Sequence, residues 1–278
     1  MKYSVCITTP EISEILPLAL LAGSFDEKMK KAALYGYNGV ELMTTDPALL
    51  DFTEVEDSLL TNKLEISAVS SGAVSSVKGL TLLAADEKTR ISARKKLSEL
   101  IWFAGKTGTG IVTIGSFRGR AAAAGGAAGA ETLLGKILKE AAEEAAAVNV
   151  SLALEPINRF DTDFLKSAAE TIEFVKSTGC PNIGILLDTF HMNIEEGKFS
   201  DCFENALSEG MLRHVHIGDS NRMPPGKGHI DFISIISVLK KHNYSGYMSA
   251  ELLAGSSPDD SARQTIEAIR QFELLSSN

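Results

Sequence analysis

The chain has 278 residues, 44% hydrophobic and 23% charged, with a formal net charge of −9. That length admits one large α/β barrel or two ordinary domains, and the negative balance speaks against a nucleic-acid partner, which usually meets a basic patch. Cys6, Cys180 and Cys202 are far apart and form no CxxC pair, so neither a disulfide framework nor a thiolate metal knuckle is indicated, and no run of roughly 18 apolar residues offers a membrane span.

Residues 3–9 are a short apolar, β-branched run without a signal-peptide core, read as a first strand of a cytoplasmic protein. Residues 11–23 are irregular, and 26–36 have helical spacing ending in Gly36. A second strand, 39–44, carries Glu41; helix 51–62 and strand 65–71 follow. A long amphipathic helix spans 86–107, with Ile91, Leu97, Ile101 and Ala104 on one side, and leads into strand 110–116. Next come Arg118 and Arg120, read as solvated loop charges, and the run AAAAGGAAGA at 121–130. Its glycines oppose helix, so it reads as a flexible connection suited to a lid. The remaining elements are helix 131–148, strand 151–155, helix 166–179, strand 182–188, helix 201–209, strand 212–217, helix 231–242, strand 246–252 and helix 257–276.

Eight strands, each followed by a helix, with no composition shift marking a linker, predict a single (β/α)8 TIM barrel over residues 1–278. A doubly wound sheet would show a Gly-rich fingerprint after its first strand, and no GxGxxG stands there. In the barrel, functional groups gather at the C-terminal strand ends.

Four strands finish on a metal-type ligand: Glu155 in LALEPINRF, Asp188 in GILLDTFH, His216 in RHVHIGD and Glu251 in YMSAELL. Apolar residues precede each, as expected for a buried strand whose tip meets a cavity. Converging buried carboxylates require a cation or protons. Three carboxylates and an imidazole suit a divalent ion with open positions: Mn2+, Mg2+, Co2+ or Zn2+. The oxygen-rich, thiolate-free set favours Mn2+ or Mg2+. His214 lies on the face of His216 one pleat deeper and reads as a hydrogen-bonded core residue. Glu41 either faces the cavity or makes a structural salt bridge. Asp219 and Asn221 shape the turn after the seventh strand, ahead of Arg222 and Lys227.

The segments EPINRF, DTFHMN and HIGDSNR–PGKGHIDF in combination resemble the xylose-isomerase-like sugar isomerase/epimerase superfamily and are most similar to its ketose 3-epimerases, the tagatose/psicose 3-epimerase group. The resemblance covers residues 155–251 well and the N-terminal half through strand rhythm. It implies one divalent ion, Mn2+ first, on Glu155, Asp188, His216 and Glu251. It also implies substrate contacts from His191 and Arg222, a small-molecule sugar as substrate, and a homo-oligomer, dimer or tetramer. The six-residue step from Glu155 lands on Asp161, where the epimerases usually carry Glu; that substrate contact is one methylene shorter here. Epimerisation beside a ketone needs a base on one face of the carbon and an acid on the other, and Glu155 and Glu251 supply that catalytic pair.

The same enediolate chemistry serves an aldose–ketose isomerase, a hydroxypyruvate-type isomerase or a sugar or polyol dehydratase. A sugar-binding protein without turnover has no need of both carboxylates. A DNA-repair endonuclease on this barrel would want more metal-binding histidines than the five present, and a basic face. Barrels often bind a substrate phosphate at the helix after strand eight. Here Ser257 and Pro258 open that helix and Asp259 and Asp260 already occupy its positive end, so a free ketose of five or six carbons is expected.

Overall fold

The alternation of strand and helix closes on itself. In the computed structural model, which describes residues 1–276, the strands β1 (Lys2–Thr8), β2 (Gly39–Met43), β3 (Glu65–Ser70), β4 (Ile111–Ile114), β5 (Ser151–Leu154), β6 (Ile183–Asp188), β7 (Leu212–Ile217) and β8 (Tyr247–Ala250) pair in sequence order, all parallel, and β8 returns to β1. Helices on the outside and side chains within leave no polar side to these strands. β2, β6 and β8 are buried at every residue, so apolar residues predominate on both of their faces and their few polar members, Glu41, Asp188 and Ser249, lie inside the barrel.

The outer layer comprises α1 (Phe25–Tyr35), α2 (Phe52–Asn62), α3 (Gly72–Lys78), α4 (Glu87–Lys106), α5 (Ala127–Ala147), α6 (Ala168–Thr178), α7 (Thr189–Glu195), α8 (Phe199–Ser208), α9 (Phe232–Lys241) and α10 (Pro258–Leu275). Their starts are written locally. Ser24 and Glu27 form a reciprocal capping box at α1, and Asp51, Asp86, Ser167, Asp231 and Ser257 each accept a backbone N–H of the following first turn. Gly36 and Gly179 end α1 and α6 in the left-handed conformation that glycine adopts without a Cβ clash.

Register places the future site. Asp188 stands beside His216 across the β6–β7 pair, after a register shift between Ile185 and Leu186, and His216 stands beside Ser249 of β8. Glu155 and Glu251 come one residue after β5 and β8, and their N–H groups still bond to Ile114 and Ile217 of the neighbouring strands. All four side chains therefore leave the same, C-terminal end of the barrel.

Three local expectations change. α3 and α7 are helices that periodicity did not reveal, because seven residues are too few to display a 3.6-residue repeat. The Ala/Gly run is ordered, not a flexible connection. Residues Ala121–Ala124 form a 3-10 turn and α5 begins at Ala127, while the Asp163 carboxylate accepts the N–H groups of Ala121 (2.7 Å) and Ala122 (3.0 Å). On α4, Leu97, Ile101 and Ala104 are buried as expected, but Ile91 is 57% exposed at the end of the stripe.

Candidate functional site

Glu155, Asp188, His216 and Glu251 are all buried and each presents one oxygen or nitrogen within 4.8 Å of the others. Nδ1 of His216 lies 3.7 Å from Oε1 of Glu155 and 3.5 Å from Oε2 of Glu251. Oε1 of Glu155 and Nδ1 of His216 are buried and have no hydrogen-bond partner. Leaving a buried polar atom unpaired costs about 1–3 kcal/mol, more for a charged one, so two such atoms aimed at one point fit a cation between them. The donor set, three carboxylates and an imidazole nitrogen, suits a divalent ion that prefers oxygen.

The other face of the His216 ring explains Glu41. Nε2 of His216 is 3.1 Å from both Glu41 oxygens, and Nε2 of His214 is 2.8 Å from Oε2. Of the two readings open from sequence, the salt bridge is realised: Glu41 sits fully buried inside the barrel below the site, and His214 is the bonded core residue expected. With Nε2–H held by a carboxylate, the lone pair of Nδ1 is directed at the cluster, the arrangement by which proteins orient an imidazole toward a metal.

The charges here decide one another's protonation. Burial works to raise Glu41, but His216 and His214 outweigh it and hold the carboxyl well below the usual range. Burial works to lower His216, but Glu41 and Glu251 carry the ring well above its ordinary value. For Glu251, the opposing burial is overcome by His216 and Arg222, which bring it down to about 2. At Asp188, burial dominates and the carboxyl is raised against the pull of His191 and Arg222. Without an ion, a proton on His216 serves as the cluster's counter-charge.

Around this centre opens a cavity of about 470 Å3, within the size range of small-molecule sites. Leu16, Leu18, Met43 and Ile157 give it an apolar wall; Ser70, Ser76, Thr113 and Ser116 line another part. His191, carried on α7, places Nε2 4.0 Å from Oε1 of Glu155 and 3.9 Å from Oδ2 of Asp188. Arg222 donates from Nη2 to Oε2 of Glu251 (2.5 Å) and Oδ2 of Asp188 (3.4 Å), and its guanidinium lies over the Phe190 ring at 4.7 Å. Its φ of 57° is unusual for a residue with a Cβ; the Leu253 N–H donating to its carbonyl (2.8 Å) holds it there. Asp161 lines the cavity on the β5 loop, where its Oδ2 accepts from Asn158. Asp219 accepts the N–H groups of Ser220, Gly226 and Ile230 and so folds the β7 loop, as its turn role predicts.

Two residues carry duties with little local signal. Arg118 is fully buried, not a solvated loop charge. Its guanidinium donates to the carbonyls of Gly115 (3.2 Å), Glu155 (2.6 Å), Phe164 (3.0 Å) and Leu165 (3.0 Å), and burial lowers its pKa to about 10. It ties the β4 and β5 loops together at the backbone of Glu155. Gly115 is the close approach that lets Glu155 into the site, since a Cβ there would stand 2.2 Å from Oε2. Arg120 is exposed as expected and donates to the Asp161 carbonyl.

Fold and site together define a (β/α)8 barrel with a carboxylate–imidazole centre at its C-terminal mouth. The chain belongs to the xylose isomerase-like TIM barrel family, whose model matches residues 29–272. It is 42% identical over 104 residues to a D-psicose 3-epimerase of Agrobacterium fabrum (strain C58 / ATCC 33970), covering 37% of this chain and 35% of that protein. It is 40% identical over 123 residues to an L-ribulose 3-epimerase of Mesorhizobium japonicum, covering 44% and 41%. These matches span less than half the length of either relative. A solved L-ribulose 3-epimerase superposes with a TM-score of 0.79 at 22% identity, over 98% of this chain and 95% of that one, a likeness of fold. Among the described residues no helix is long and apolar enough to cross a membrane.

Proposed function

We propose that this chain is a divalent-metal-dependent ketose 3-epimerase acting on a free sugar through an enediolate. The observation that carries the reading is the buried cluster of Glu155, Asp188, His216 and Glu251 with its two unpartnered atoms, opening on a sugar-sized cavity. The names of these similar proteins, a D-psicose 3-epimerase and two L-ribulose 3-epimerases, point the same way. The four residues would hold one ion, with Mn2+ or Mg2+ preferred over Co2+ by the oxygen-rich set. Bound there, the ion would act as a Lewis acid that lowers the energy of negative charge on adjacent sugar oxygens.

The chain's own groups supply the rest. Glu155 and Glu251 come from strands three places apart around the barrel and flank the cavity, so one can take the proton from C3 while the other returns a proton to the opposite face. Arg222 keeps Glu251 ionised and, as a permanent cation, orients oxygens and offsets developing charge. His191 and Asp161 contact further sugar oxygens. The apolar wall limits water beside the reacting carbon. Arg222 is the one Lys or Arg among the cavity's described lining residues, alongside Glu155, Asp161 and Glu251. At the start of α10, Asp259 is taken up by Lys31 (2.5 Å) and the Ala22 N–H (2.8 Å). That pairing removes much of the repulsion expected from Asp259, so the preference for an uncharged sugar over its phosphate ester rests on the cavity lining, whose one described Lys or Arg, Arg222, is already bonded to Glu251 and Asp188.

The test is a panel of free ketoses and their phosphates with Mn2+ in deuterated water, with NMR locating the exchanged carbon. Deuterium at C3, inversion there, and loss of inversion in Glu155→Gln and Glu251→Gln are expected. Exchange confined to C1 or C2 would make the chain an aldose–ketose isomerase instead.

A further inference from the structure

We infer that Asn158 fixes the single imidazole proton of His191 on Nε2 and ties that ring to Asp161, so that the three side chains present substrate with one donor and one acceptor in a set order. This rests on the proposed reading that His191 and Asp161 face the sugar, and it names a positioning residue that the motif alone does not distinguish from its neighbours.

Three hydrogen bonds carry it. Oδ1 of Asn158 accepts the Phe160 N–H at 2.9 Å. Nδ2 of Asn158 donates to Oδ2 of Asp161 at 2.8 Å and lies 2.7 Å from Nδ1 of His191. The amide cannot be turned over: its oxygen would then face the Asp161 carboxylate and its NH2 would face a backbone N–H, two repulsive contacts for two lost bonds. With Nδ2 as donor, Nδ1 of His191 must be the acceptor and carry no proton. The imidazolium is ruled out for the same reason, since both its nitrogens donate. The ring is therefore neutral with its proton on Nε2, the tautomer set by the bond the other nitrogen makes.

That Nε2–H stands 4.0 Å from Oε1 of Glu155 and 3.9 Å from Oδ2 of Asp188, beyond hydrogen-bond length, and the residue lines the cavity. It is thus a donor with its place open to an incoming oxygen. It can stabilise charge on a carbonyl or enediolate oxygen, and it cannot serve as a base. Asp161 has one oxygen on Asn158 and the other left to accept from a hydroxyl. Arg159 fastens the same loop to the same helix through Glu195, at 2.6 Å from its N–H and 2.9 Å from Nε and Nη2, so the loop and α7 move as one piece.

The experiment reads the ring nitrogens by 15N NMR in histidine-labelled protein, metal-free and loaded with diamagnetic Mg2+. Only five histidines contribute, and His191→Gln identifies the signal. The wild type should show a protonated Nε2 and a lone pair on Nδ1. In Asn158→Asp the carboxylate can only accept, so Nδ1 should gain a proton. Arg159→Ala, which loosens the loop without touching the ring, should leave the pattern as in the wild type. Ketose exchange at C3 should fall by at least about tenfold in Asn158→Asp, the scale of loss when a histidine's orienting partner is changed. A wild-type Nδ1–H, an unprotonated Nδ1 in Asn158→Asp, the same change in Arg159→Ala, or undiminished exchange in Asn158→Asp each overturns the inference. If the wild type exchanges no ketose proton at all, the proposed function fails, while the nitrogen pattern still decides the tautomer.

Discussion

Replacing Glu41 by Gln tests whether the buried carboxylate under His216 sets the site's affinity for metal. The carboxylate now accepts from two imidazoles, at 2.8 Å from His214 and 3.1 Å from His216, with no exposure to water. An amide of the same shape has one accepting oxygen; its NH2 must confront one of the two Nε2–H groups. Either that donor is left unpaired, which costs about 1–3 kcal/mol of folding stability, or the ring moves its proton to Nδ1. At His216 the second route removes the lone pair that would meet the ion. Changing such a partner behind a metal-binding histidine typically weakens metal affinity 10–100-fold, about 1.4–2.7 kcal/mol. Calorimetric titration of the metal-free wild type and Glu41→Gln with Mn2+ measures the difference directly, and thermal unfolding without metal separates it from loss of fold. A variant that keeps its fold and binds Mn2+ as tightly as the wild type would refute the role given to Glu41.

Metal binding should strengthen with pH, because the ion must displace the proton that Glu41 and Glu251 hold on His216. In the metal-free protein that raised pKa contributes stability fully present below the unfolded value of 6.5 and lost as pH rises through the folded one, whereas the Glu251 contribution is present above 4.5 and lost as pH falls toward about 2. The Tm gained on adding Mn2+ should therefore grow between about pH 5.5 and pH 8.5; a constant gain would contradict the proton displacement. Gly115→Ala should cut turnover and Mn2+ affinity together, since a Cβ at 2.2 Å from Oε2 displaces Glu155; wild-type metal titration would show that the contact relaxes harmlessly. Arg118→Met should destabilise the fold by about 1–3 kcal/mol, because the Glu155 carbonyl loses its 2.6 Å donor while the Gly115, Phe164 and Leu165 carbonyls keep the Arg118 N–H, the Thr162 hydroxyl and the Ile157 N–H, and denaturant unfolding of the metal-free protein will show it. His191→Ala and Arg222→Ala should reduce ketose turnover far more than Mn2+ affinity, and equal loss of metal in both would count against their assignment to substrate.

The chain's own order of residues determined the barrel and the location of its working end. Most strands are rich in apolar residues, most helices carry a start signal beside them, as with Ser24, Asp86 and Ser257, and these are interactions between near neighbours in sequence. Glu155, Asp188, His216 and Glu251 were legible for the same reason: each is a polar residue at or next to the end of its strand, three of them after an apolar run and His216 in an alternating one, and a closed parallel barrel sends all its strand ends to one mouth. What tertiary structure alone decided are the partners far away in the chain. Glu41 could be a cavity group or a salt bridge until β2 and β7 faced each other across the barrel interior, bringing it to histidines 173 and 175 residues on. Arg118 looked solvated because a loop arginine usually is; four carbonyls from two loops converge on it only once β4 and β5 are side by side. The Ala/Gly run looked slack on its glycines, but intrinsic propensity is a small energy, and the two N–H groups of Ala121 and Ala122 donating to the Asp163 carboxylate override it. Strand and helix periodicity follow from the geometry of a single segment, whereas a buried charge or a tautomer depends on which atoms several segments bring within about 3 Å, and no local pattern records that distance.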